Sequence, residues 1–122
     1  MPAERRFSYS RSHRLSGKLN FAAAYEHGIK QTRGPIVIFA RLNDLPHARL
    51  GLSVSRRVGT APRRNVIKRR LREAFRLSQH DWPAGLGYDL VLVVRPHDPL
   101  PLAEYQRILS GLMVKIVSRD KQ

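Results

Sequence analysis

The chain contains no cysteine, which excludes disulfide bridges and thiolate metal sites together and fits a reducing compartment. Acids are scarce as well: 9 Asp and Glu stand against 23 Lys and Arg, for a formal charge of +14. They are dispersed, with no D-x-D or E-x-x-E pair, so the carboxylate cluster that holds two metal ions for phosphodiester cleavage is missing. His13, His27, His47, His80 and His97 never fall at H-x-x-x-H or H-x-x-E spacing. Each reads as a surface or phosphate-contacting residue rather than a metal ligand. There is no G-x-x-x-x-G-K-[ST] phosphate loop. No apolar run approaches the ~18 residues that suggest a membrane span, and the basic start, Met1 to Arg14, lacks the apolar stretch of a signal peptide. What remains is the expectation of a soluble cytoplasmic protein without self-contained nuclease or metal chemistry.

A length of 122 residues with 42% hydrophobic content suits one domain, 1–122, with an ordered core over about 7–117 and loose ends. Ser16 precedes the alanine-rich run Lys18 to Tyr25, which Gly28 stops, so a short first helix is expected. Ile36 to Leu42 is β-branched and bounded by turn residues, and Leu50 to Ser55 alternates with period 2. Both read as strands, and the spacing predicts a hairpin between them. A helix follows, with Thr60 as N-cap and Pro62 in the first turn, running to about Ser78-Gln79-His80. Beyond the turn region Pro83 to Gly87, Tyr88 to Val94 reads as a central strand. From Pro101 a last helix carries Leu102, Tyr105, Ile108, Leu109, Leu112, Met113 and Ile116 at 3.6 periodicity. The fold class is therefore α+β: a small sheet of about four strands packed by helices, in the order α-β-β(-β)-α-β-α.

The helix after Thr60 carries the strongest signal. Arg63, Arg64, Lys68, Arg69, Arg70, Arg72 and Arg76 stand there against one acid, Glu73. At about 100° per residue, Ile67, Leu71, Ala74, Phe75 and Ser78 share one sector, while Arg64, Asn65, Lys68, Arg69, Arg72 and Arg76 share the adjoining one. One side packs and the other presents a cationic rail. Repulsion along such a rail opposes folding, so it calls for a polyanion, and the charge of the whole chain makes nucleic acid the expected partner. Phe21 and Tyr25 share a helix face, and Phe39 alternates away from Ile36 and Ile38. Rings beside a basic surface hold single-stranded nucleic acid without reading its sequence. By position alone these three fit either that role or the core.

Four stretches together resemble the protein subunits of bacterial ribonuclease P. They are Ser12-His13-Arg14-Leu15; Phe21-x-x-x-Tyr25-x-x-Gly28; the run Gly51-Leu52-Ser53-Val54-Ser55-Arg56-Arg57-Val58-Gly59; and Arg64-Asn65-x-x-Lys68-Arg69-x-x-Arg72-Glu73-Ala74-Phe75. The resemblance spans about Phe7 to Ile116. It departs at Val66, where the family has a second Arg, and no role is carried to that position. The resemblance implies a left-handed strand–helix–strand crossover, against the general preference. It also implies a holoenzyme in which a catalytic RNA, holding Mg²⁺, removes the 5′ leader of precursor tRNA while the protein binds no cofactor itself. Arg63, Arg64, Asn65, Lys68, Arg69, Arg72 and Arg76 would then meet RNA, joined by Ser55, Arg56 and Arg57 at the strand end and by His13 and Arg14. Phe21, Tyr25 and Phe39 would line a cleft for the leader. The expected partners are the catalytic RNA and precursor tRNA, with no membrane and no obligate protein partner. The alternative is a structural, ribosome-associated RNA-binding protein. A DNA-binding helix-turn-helix is disfavoured, because the segment before the basic helix reads as strand.

Overall fold

The apolar run Tyr88 to Val94 needs cover on both faces, and strand β4 (Tyr88–Val94) takes an inner place in a four-stranded sheet. The computed structural model describes residues 18–43, 45, 47–78 and 87–120. In chain order these form α1 (Lys18–His27), β1 (Ile29–Arg33), β2 (Ile36–Leu42), β3 (Arg49–Val54), a 3₁₀ turn (Arg56–Val58), α2 (Ala61–Ser78), β4, and α3 (Leu102–Asp120). The sheet order is β1-β2-β4-β3, antiparallel except for the parallel pair β3 and β4. This is the expected α+β architecture, with the optional third strand present. Ser16, the N-terminal stretch from residue 7 and the turn at 83–86 lie outside the described residues.

The expected hairpin between β2 and β3 does not form. β4 lies between them, because β3 uses its inner edge for the parallel neighbour to which α2 connects it, and such a pair requires a long crossover. The hairpin instead joins β1 to β2 through Gly34 and Pro35, with Gly34 at φ 58°, a conformation that costs glycine little. Strand β1 is Ile-Lys-Gln-Thr-Arg, and only its Ile29 packs on the main core. An edge strand with one apolar anchor carries no strong period-2 pattern.

Alternation along the strands divides the sheet into two unlike faces. Ile36, Ile38, Ala40, Leu50, Tyr88, Leu90, Leu92 and Val94 turn toward α2 and α3, where they meet Ile67, Leu71 and Phe75 together with Tyr105, Leu112 and Ile116 in one core. The opposite face is covered by α1, whose Ala24 packs with Val91 beside Phe21, Phe39 and Val93. The loop from β4 to α3 is tied down by the buried Tyr105: its hydroxyl accepts from the Leu100 N–H (3.1 Å) and meets His97 Nε2 (2.7 Å). Burial raises the pKa of that hydroxyl. None of the described helices is long and apolar enough to cross a membrane.

Candidate nucleic-acid interface

Helix α2 folds with the division of faces that its sequence implies. Ile67, Leu71, Ala74, Phe75 and Ser78 are its buried residues, and the opposite side carries the charge. Arg63, Asn65, Arg69 and Arg72 are exposed; Arg64, Lys68 and Arg76 are partly so. Several of these cations are engaged within the chain. Arg63 Nη1 donates to Asp98 Oδ1 (2.9 Å), Arg64 Nε donates to the Gly59 carbonyl (3.2 Å), and Arg76 pairs with Glu73 one turn back. Lys68, Arg69 and Arg72 have no hydrogen-bonding or ionic partner among the described residues. They sit at i, i+1 and i+4, so their head groups form one short stripe with no internal counter-charge. Arg70, which the helical count leaves off the rail, points the other way and donates to the Leu100 carbonyl (2.7 Å).

Two more cations stand just before the helix. Ser55, Arg56 and Arg57 are exposed on the 3₁₀ turn that leads into it, while the neighbouring Val58 is buried and anchors the turn. Gly59 N–H closes the turn on the Arg56 carbonyl (3.2 Å), and the Thr60 carbonyl accepts from Arg64 N–H (2.9 Å) as the helix begins. Val66 is partly buried, between the core and the stripe.

The other sheet face brings Phe21, Tyr25 and Phe39 together. Phe21 lies against Gly51 so closely that a Cβ there would stand 2.5 Å from its Cζ, so glycine is what lets α1 settle onto β3. Tyr25 and Phe39 meet edge to face, with ring centroids 5.0 Å apart and an interplanar angle of 86°. Phe21 and Phe39 are half-buried, whereas Tyr25 keeps 42% of its surface exposed. The ring with most surface available to a ligand is therefore Tyr25, and Phe39 is the wall that orients it.

A family model described as Ribonuclease P matches residues 9–117. The chain belongs to the ribonuclease P protein family. Membership makes it the protein subunit of the tRNA-processing ribonuclease. It is 42% identical over 91 residues to the ribonuclease P protein component of Haemophilus influenzae, covering 74% of each chain. To that of Saccharophagus degradans it is 34% identical over 123 aligned positions, covering 99% of this chain and 90% of the relative. Among solved structures, the ribonuclease P protein of Thermotoga maritima superposes with a TM-score of 0.74 at 29% identity, covering 84% of this chain and 96% of that one. The Staphylococcus aureus protein gives 0.72 at 29%, covering 86% and 94%.

Within this ribonuclease P protein, sequence reasoning missed a polar cluster on the α1 face. Arg49 Nε donates to Asp89 Oδ1 (2.8 Å) and its Nη2 to Oδ2 (2.7 Å), and Asn43 Nδ2 adds a bond to Oδ1 (2.9 Å). The hydrogen bond to Asp89 raises the Arg49 pKa. Asp89 is only 5% exposed, and with both oxygens taken it does not suit a protein-held Mg²⁺. Among the described residues, no three His, Asp or Glu side chains converge as a metal site. The signal for the pair was absent from local sequence, since Arg49 and Asp89 are 40 residues apart. His13 and Arg14 lie outside the described residues.

Proposed function

We propose that the chain lies along the catalytic RNA of ribonuclease P with the α2 stripe and the Ser55-Arg56-Arg57 turn, and holds the 5′ leader of precursor tRNA against Phe21, Tyr25 and Phe39. His13 and Arg14 add N-terminal contacts to RNA. The catalytic centre, with its Mg²⁺, belongs to the RNA, and the protein binds no cofactor of its own. It works in the cytoplasm without an obligate protein partner.

The observation that carries this reading is the presence of two chemistries on different elements. The cations of Lys68, Arg69 and Arg72, which have no partner among the described residues, repel one another until phosphates neutralise them, which suits a long polyanion. The exposed Tyr25 ring on its Phe39 support suits unpaired bases, and of precursor and mature tRNA only the precursor has a leader to offer. Such a division lets the protein raise precursor affinity without taking part in bond cleavage.

Replacing Tyr25 by leucine therefore weakens binding of precursor tRNA while binding of mature tRNA is kept. One stacked base is worth roughly 1–3 kcal/mol, or about five- to a hundredfold in affinity. The same change at Phe21 or Phe39 also lowers the melting temperature, because those rings are half-buried. Titrating both RNAs against each single variant, beside a melting curve, separates the two effects. An equal loss for both RNAs with Tyr25→Leu would overturn the leader assignment.

A further inference from the structure

On the α1 face, the strand register sets out rows that run across the sheet. One row is Lys30, Phe39, Val91 and Gly51; the next is Arg41, Asp89 and Arg49. In the second row a single carboxylate stands between two arginines and is committed to one of them, since Arg49 engages both oxygens of Asp89. Arg41 is exposed and has no partner among the described residues. In the first row Lys30 is exposed as well, with its Nζ 5.7 Å from the centroid of the Phe39 ring. The Phe39 ring is thus flanked by two cations that have no acidic partner among the described residues, one a strand over, at about 4.8 Å in backbone spacing, and the other two residues along its own strand, at about 6.8 Å.

Lysine on β1 has an ordinary explanation, because charge on an edge strand discourages pairing with other chains. Arg41 is not on an edge strand: β2 is bonded to β4 along its whole length, and the β1 ladder beside it stops one residue short, at Ala40. Nor does it neutralise the buried acid beside it, which Arg49 already holds. The nearest acid along α1 from Tyr25, Glu26, stands next to His27 (3.7 Å).

We propose that Lys30 and Arg41 form a second phosphate-binding track, separate from the α2 stripe, which holds the backbone of the single-stranded leader where its bases meet Tyr25. This rests on the leader reading given above. Aromatic faces supply base stacking and adjacent cations follow the backbone, the combination by which single strands are bound without sequence preference. Cations at these positions give the leader a salt-dependent component of binding that mature tRNA lacks.

The experiment measures affinity for precursor and mature tRNA across a salt series, with the protein assembled on its catalytic RNA, for the parent, for Tyr25→Ala and for the double variant Lys30→Gln with Arg41→Gln. At about 0.7 released counterion per contact on a single strand, two contacts account for about a sevenfold share of the affinity lost between roughly 50 and 200 mM salt. The double variant is expected to lose that share for precursor alone and to melt like the parent. Suppose the parent prefers precursor and Tyr25→Ala reduces that preference, yet the double variant keeps the parental salt slope: the track is then wrong and the leader reading stands. An equal loss for both RNAs would assign the two cations to another part of the complex and overturn the track. A parent that binds both RNAs alike removes the leader reading and the track with it.

Discussion

Replacing Lys68 and Arg72 together by glutamate is expected to weaken RNA binding more than any other double change on the surface, and to flatten its salt dependence. Both side chains lie in the part of the α2 stripe that has no partner within the described chain, so no intramolecular ion pair offsets their loss. A surface making ~6 phosphate contacts, by analogy with duplex binders, loses on the order of a thousandfold in affinity between about 50 and 200 mM salt. With two contacts removed, the fall over the same interval shrinks to about a hundredfold. The reversed charges repel the backbone besides, which lowers affinity at every salt concentration. Filter binding or fluorescence titration across the salt series reads both effects. An unchanged slope would mean that the stripe faces water in the complex.

The opposite side of the same helix gives the second large effect. Leu71 and Phe75 are both 0% exposed and belong to the core shared by the sheet, α2 and α3. Truncating either to alanine removes buried surface and leaves a cavity, at a cost of roughly 2–5 kcal/mol. For a domain of this size that lowers the melting temperature by roughly 8–20 °C. The salt slope of RNA binding, measured well below the melting transition, is expected to stay at the parental value. Variants that melted like the parent and yet lost RNA affinity would reverse the assignment of the helix faces.

These two sides of α2 were legible in the sequence because a long helix samples its period several times, and large apolar and charged residues leave little ambiguity about which sector is which. The period-2 alternation of a strand likewise places Phe39 on the face away from Ile36 and Ile38, where the structure has it. Period 2 assigns a residue to a face of a sheet and says nothing about which strand lies alongside. For that reason β2 and β3 were expected to pair, although β4 separates them. Strand β1 is only an optional element in the sequence because Ile29 alone among its residues packs on the main core. Long-range polar contacts were out of reach for a related reason. Arg49 meets Asp89 through the register of β3 with β4, and Arg63 meets Asp98, 35 residues away, through the return of the loop after β4. The exposure of the rings was equally hidden: Tyr25 and Phe39 look alike as letters, but only Tyr25 stands at the rim of its helix as an exposed large hydrophobic side chain.

The measurement that bears most directly on the whole account is reconstitution. The purified chain, precursor tRNA and a bacterial ribonuclease P RNA are combined at an Mg²⁺ concentration too low for the RNA to work alone. Controls omit either the RNA or the protein. The account predicts cleavage at the 5′ end of the mature tRNA only when both are present: on the proposed reading the stripe relieves phosphate repulsion and the α1 face holds the leader, while the described residues hold no cluster of carboxylates with which to cut RNA. Mg²⁺-dependent cleavage by the protein without RNA, or no gain over the RNA alone when the protein is added, would contradict it.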